Sequence, residues 1–217
     1  FLSGIIGSQF SPIKSLATLP TALSIVGIAI FAIFAAKVMS IIGRRAGFIL
    51  ASIVSSLSSL LAAYAIINES FILFNFSCFL LGAGVAFSHQ YRFAAVETVK
   101  KDMAPKAISI ILLAGIGSAF IGPNVANITK DIISEHLYAG SYFALAVLTL
   151  TSTIFLFFYE DGHKPNRVNN KITRSYFELI SQPRFLQALL ASAFAYAVMS
   201  FLMTATPISM HVMQKIS

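Results

Sequence analysis

The chain has 217 residues, 57% of them hydrophobic and only 11% charged, with 20 phenylalanines and a formal net charge of +7. Together with a mean hydropathy of +0.83, this excludes an ordinary soluble domain, in which roughly a quarter of residues are charged, and points to an all-α, polytopic transmembrane helix bundle. The basic excess does not suit nucleic acid either, because the lysines and arginines sit between apolar runs rather than on one soluble face.

Crossing the hydrocarbon takes about 20 apolar residues per helix, and six such runs follow a shorter one. Residues 1–11 read as the end of a partial first helix, since neither an initiator methionine nor a basic segment precedes Phe1. The chain also stops at Ser217 just past an apolar run, so a fragment truncated at both ends is expected. Pro20 closes a turn and suits a helix's first position, where its missing N–H has no intrahelical acceptor. Spans are predicted over 20–40, 46–67, 71–93, 106–128, 141–159 and 185–212, the last interrupted by Pro207. The short hinge at 41–47 allows only an antiparallel reversal, and Asn68-Glu69-Ser70 turns the chain again. A solvated loop over 96–105 holds Glu97, Lys100, Lys101 and Asp102, and a polar turn over 129–140 holds Lys130, Asp131, Glu135 and His136.

Residues 160–184 carry five basic residues, two prolines and three asparagines, which lipid does not accommodate. The chain therefore divides into a membrane bundle over 1–159, a linker over 160–184 and the start of a second bundle over 185–217. Within the linker, Tyr176, Phe177, Leu179 and Ile180, flanked by Arg174, Glu178 and Arg184, suit a short amphipathic helix on the membrane surface; an irregular loop suits them equally. On the side of Gly43, Glu97 and the linker lie 12 of the lysines and arginines; the other side holds Lys14, Lys130 and Lys215. By the positive-inside rule the first side, linker included, is cytoplasmic.

Enzyme signals are absent: there is no Walker loop, G-x-S-x-G, H-E-x-x-H or paired cysteine. The single cysteine, Cys78, reads as a small buried hydrophobe. His89, His136, His163 and His211 fall in separate segments, so no catalytic residue, metal site or cofactor is expected. The most informative polarity is Ser88-His89-Gln90-Tyr91-Arg92, which follows the apolar stretch from Leu80 to Phe87. An arginine at a bilayer's centre costs roughly 2.5–3.5 kcal/mol on insertion scales, but counting from Phe71 places Arg92 near the cytoplasmic interface. Ser88, His89 and Arg92 lie within one helical turn and can share a face. Two readings stay open. In one, His89 and Arg92 floor a cavity that binds an anionic or polar solute. In the other, Arg92 snorkels to the interface and pairs with Glu97 or a lipid phosphate.

Between 106 and 128, Gly115, Ser118, Gly122 and Ala126 make a stripe of small residues, the kind that lets helices approach closely in lipid. Gly122-Pro123 adds a local kink. Asn124 and Asn127 project from another face near the outer end, either lining a solute path or capping backbone groups freed beside Pro123.

Six spans, a basic cytoplasmic linker and then a new bundle resemble the N-terminal half of a major facilitator superfamily transporter, over essentially the whole chain. The closest residue-level match is Gly43-Arg44-Arg45, which looks like the end of the superfamily's G-x-L-a-D-r-x-G-r-[RK] motif. Ala36 stands where its first glycine is expected and Ser40 where its aspartate is expected, while Glu97 takes the place of the acid that often follows the fourth helix. The resemblance implies that Ser40, Gly43, Arg44, Arg45 and Glu97 form a cytoplasmic gate, with Glu97 a partner for Arg44 or Arg45. Leu81-Gly82 resembles part of the R-x-x-q-G motif, with Cys78 in place of the arginine. Gly122-Pro123 resembles the antiporter-type motif, with Ser118 for the earlier glycine and Ala126-Asn127 for the final pair.

What the resemblance implies is alternating access by a secondary-active transporter of a small organic solute, coupled to protons, in a bacterial inner membrane. Ser88, His89, Arg92, Asn124 and Asn127 are its candidate substrate-binding residues, and Gly115, Ser118, Gly122 and Pro123 its helix-packing residues. Its partners are the bilayer, the solute, protons and the C-terminal half of the same protein, without which no transport is expected. Specific uptake of a polar or anionic metabolite, rather than drug efflux, stays open. So does a membrane sensor or scaffold that moves nothing.

Overall fold

The computed structural model describes residues 2–11, 13, 16–133, 136–159 and 181–208. The chain falls into two compact units, Leu2–His163 and Lys164–Ser217. Most of the predicted linker, including its proposed amphipathic helix, lies outside the described residues, as does 209–217.

The first unit contains α1 (Leu2–Phe10), α2 (Leu19–Ile42), α3 (Arg44–Ile67), α4 (Phe71–Ser88), α5 (Tyr91–Thr98), α6 (Ala104–Thr129) and α7 (Ala139–Phe157). The second unit is described by α8 (Pro183–Ile208), which continues through Pro207 rather than breaking there. Among the described residues, six helices are long and apolar enough to cross a membrane, with α4 and α5 counted as one span.

Local chemistry explains the boundaries. Pro20 lies in the first turn of α2, and Pro105 in that of α6. Gly43 ends α2 and precedes α3 at φ 88°, a conformation that only glycine adopts without strain. The Ser70 hydroxyl accepts from the Leu73 N–H at 3.4 Å and so caps α4. Arg44 and Arg45, expected in the hinge, instead form the first turn of α3.

One correction matters for function. The predicted span over 71–93 does not run through: α4 stops at Ser88, and α5 starts at Tyr91 and occupies part of the expected loop. Between them the Gln90 N–H bonds to the Phe87 carbonyl three residues back, and the Gln90 carbonyl takes both the Phe93 and Ala94 N–H groups at 3.1 Å. The turn tightens instead of unwinding. Ser88 and Arg92 therefore do not share one continuous helix face.

Packing is closest where side chains are smallest. α2 and α4 cross at Gly27 and Gly82, where a Cβ on Gly82 would strike the Ser24 carbonyl oxygen and lie 2.9 Å from Ile28 N. Gly84 similarly meets the Ser55 side chain of α3. Between α3 and α7, Ser52 donates to the Thr149 carbonyl and lies 2.7 Å from the Thr153 hydroxyl, while Ser56 donates to the Ala146 carbonyl at 3.1 Å. Ser52→Ala with Ser56→Ala is expected to destabilise the folded protein by about 1–2 kcal/mol, the range for two interhelical hydrogen bonds in lipid. Thermal unfolding in detergent measures this, and an unchanged midpoint would show the polar seam to be dispensable.

Two apolar clusters fill the first unit. One gathers Ile6, Ile66, Phe74, Cys78 and Tyr142; the other gathers Ala35, Met39, Phe48, Ala51, Phe87 and Ala94 at the end that carries Gly43. We call the latter the basic end.

Candidate functional site

The first turn of α3 organises the basic end. Arg44 makes a two-pronged pair with Glu97 of α5, Nη2 to Oε1 at 2.6 Å and Nε to Oε2 at 2.5 Å, and its Nη1 lies 4.0 Å from the Met39 sulfur. The planar guanidinium matches both carboxylate oxygens at once, which fixes direction as well as distance. The side chains are 22% and 43% exposed, so water screens part of the attraction.

Arg45 turns the other way. Its Nη2 donates to the Phe157 carbonyl oxygen at the end of α7 at 2.5 Å, and its guanidinium lies 6.0 Å from the centre of the Phe157 ring. Carbonyls in a helix's last turn lack intrahelical donors and carry partial negative charge, so a cation there is favoured. Below the two arginines Phe48, only 1% exposed, has the Tyr91 ring of α5 at 4.4 Å and the Tyr159 ring beyond α7 at 6.1 Å. Ser40 takes no part in the ion pair; its hydroxyl donates to the Lys37 carbonyl at 2.7 Å.

The candidate solute-binding residues do not gather into one cluster among the described residues. Ser88, His89 and Arg92 are exposed around the break between α4 and α5, and Ser88 donates back to the Gly84 carbonyl at 2.9 Å. Asn124 and Asn127 are exposed in the last turns of α6, toward its opposite end. Asn124 donates to the Phe120 carbonyl at 2.7 Å, beside Pro123, so its amide serves the helix's own backbone.

Along the small stripe of α6, the described residues place no neighbouring helix against Gly115 or Gly122. No residue of α6 is buried, a Cβ on Gly115 or Gly122 would meet nothing within 4 Å, and Ser118 bonds back to the Gly115 carbonyl at 2.8 Å. Within the first unit α6 is held near its ends, where the Ser141 hydroxyl donates to the Ala126 carbonyl at 2.7 Å and α5 packs at the basic end. Spacing along one helix announces that an approach is possible, not which helix makes it. Close approaches among the described residues occur at Gly7, Gly27, Gly82 and Gly84, and at Gly140 of α7, which meets the carbonyl of Thr129 at the end of α6.

Among the described residues, no three His, Cys, Asp or Glu side chains come together as a metal cluster. His163 and His211 lie outside those residues. Phe48 and Tyr159 escaped the sequence reading, and Tyr91 was named there only as part of the polar stretch; aromatic residues near a basic helix end were the available signal. The Phe157 carbonyl that receives Arg45 has none, being backbone.

The pattern described as Major Facilitator Superfamily matches residues 1–216. The chain is 33% identical over 212 residues to riboflavin transporter RfnT of Brucella anthropi, an alignment covering 96% of this chain and 53% of that protein. It is 28% identical over 160 residues to the uncharacterized MFS-type transporter YdeG of Bacillus subtilis, covering 72% of this chain and 37% of that one. A further uncharacterized MFS-type transporter of Bacillus subtilis, YddS, is 29% identical over 114 residues, covering 52% of this chain and 26% of its own length. The chain thus spans about half the length of the first of these relatives. No solved structure matches it.

Proposed function

We propose that this chain, which belongs to the Major Facilitator Superfamily, supplies about half of a secondary transporter that carries a small organic solute across the membrane by alternating access. The observation that carries this reading is the 33% identity to a riboflavin transporter across 96% of the chain. The solute we assign is riboflavin or a compound of similar size and polarity. Coupling to protons completes the reading.

His89, Arg92 and Ser88 are the proposed solute contacts on this half, joined in another stage of the cycle by Asn124 and Asn127. Their support is that they are exposed polar groups at the end of the apolar α4 and just beyond it, and in the last turns of the apolar α6, where polarity is retained only for a partner, a cavity or an interface. The basic end is read as cytoplasmic, in an inner membrane, from the 12-to-3 division of lysines and arginines. There the Arg44–Glu97 pair closes the bundle when the cavity faces outward, with Gly43 providing the turn and Ser40 flanking it. The remaining bundle comes from sequence beyond this chain.

The test is counterflow in proteoliposomes containing the full-length protein, with riboflavin and a panel of polar and anionic solutes under an imposed pH gradient. Riboflavin exchange is expected, with His89→Ala and Arg92→Ala each lowering it roughly tenfold, the effect of one lost charge-assisted or polar contact. Flux of another panel member without riboflavin would change the substrate. No flux at all, with both substitutions tolerated in cells, would replace the transporter reading by the sensor or scaffold.

A further inference from the structure

The adjacent arginines of α3 hold different helices, and one apolar cluster lies between their two attachments. Arg44 reaches α5 through Glu97, while Arg45 reaches the last carbonyl of α7. Phe48, one turn further along α3, touches both sides through Tyr91 and Tyr159. Met39, Phe87 and Ala94 belong to the same cluster, and Leu156 of α7 packs against it. Ala94 is only 3% exposed, so α5 cannot lift away without wetting the surface on which the end of α7 also rests.

The backbone supports a moving α5. It is a short helix separated from α4 by the tightened turn at His89-Gln90, and its inward residues, Tyr91 and Ala94, both face the shared cluster. The end of α7 has its own vulnerability, because its terminal carbonyls depend on donors from outside the helix.

We propose that Arg45 makes the C-terminal end of α7 a third member of the closure at the basic end, so that α5 and the end of α7 are released from α3 as one event. The two arginines then act on a single cluster rather than as two separate latches. Opening exposes Phe48 to water on both faces, and closing restores both contacts together. Whatever strains the chain leaving α7 is thereby transmitted to the Arg44–Glu97 pair. This inference rests on the closure reading above, but its test reads local opening and requires no transport.

The test is amide hydrogen exchange on the full-length protein in detergent, following residues 91–98, 153–159 and 59–66. Arg45→Gln removes the α7 attachment and leaves Arg44 and Glu97 in place. It is expected to accelerate exchange in 153–159 and also in 91–98, by about two- to five-fold, the range for a partly exposed charged contact. Glu97→Gln reads the same coupling from the other arm and is expected to accelerate both segments as well. Exchange in 59–66, within the other apolar cluster, stays unchanged and shows that the fold is intact. Acceleration confined to 153–159 in Arg45→Gln, or confined to 91–98 in Glu97→Gln, would overturn the proposal. If Arg45→Gln opens all three segments through misfolding, the Glu97→Gln result decides alone.

Discussion

Substituting alanine or valine for Gly82 is expected to be among the most damaging single changes in this chain, lowering stability by about 3 kcal/mol and the unfolding midpoint by roughly 10 °C. The reason is geometric. At the crossing of α2 and α4 the first atom of any side chain would meet the Ser24 carbonyl oxygen and Ile28 N, both backbone atoms that no rotamer change can move. Relief requires the two helices to separate, which loosens the Phe31–Phe79 contact, now 5.5 Å between ring centres, and opens voids along a seam held by dispersion rather than by water exclusion. Gly27 faces the same crossing and is expected to behave in the same way. Gly115 is the contrast: a Cβ there meets nothing within 4 Å, so alanine leaves the contacts of this bundle unchanged. Thermal unfolding and monodispersity of purified variants measure the difference. A Gly82→Ala protein as stable as the parent would mean that the crossing is looser than its geometry requires.

The contrast between Gly82 and Gly115 also shows where sequence reading reaches its limit. The spans are legible because about 20 apolar residues in a row have few other uses, and several of their ends are legible because Pro20, Gly43 and Ser70 each have a specific role at a helix terminus. The break after Ser88 is not legible. Neither glycine nor proline occurs at 89–90, and both His89 and Gln90 keep right-handed helical dihedrals, so residue type carries no sign of it. Close helix contacts depend on two chains of atoms at once, and the small stripe of α6 reveals only one of them. The α3 serines went unread in the sequence, although Ser52, Ser56 and Ser59 recur at helical spacing and the first two bond to α7. Arg44 and Glu97 were suggested as partners by family resemblance, but the division of labour between Arg44 and Arg45 depends on where the end of α7 lies.

That division leads to a charge-reversal experiment. Arg44 stands in the first turn of α3, where a helix's positive end disfavours a cation, and Glu97 stands next to the last residue of α5, where the negative end disfavours an anion. Helix dipoles therefore do not account for this choice of charges; mutual attraction has to outweigh them. Glu97→Arg alone would set two guanidiniums against each other and Arg44→Glu two carboxylates. On the proposed transporter reading, each is expected to lower transport by the full-length protein roughly tenfold, through reversal of a pair worth up to about 1 kcal/mol at this exposure. The double variant Arg44→Glu with Glu97→Arg restores attraction and now aligns both charges with their helix ends, a gain of about 0.3–1 kcal/mol apiece. It is thus expected to match or exceed the parent in thermal stability and in slow exchange over residues 91–98. Transport is expected to recover only in part: a closure held more firmly than the native one opens less often, and the carboxylate at 44 no longer provides the guanidinium that touches the Met39 sulfur. Double-variant transport as low as that of either single variant, despite restored protection of α5, would show that the Arg44 guanidinium itself, not its pairing with Glu97, is what the transport cycle needs.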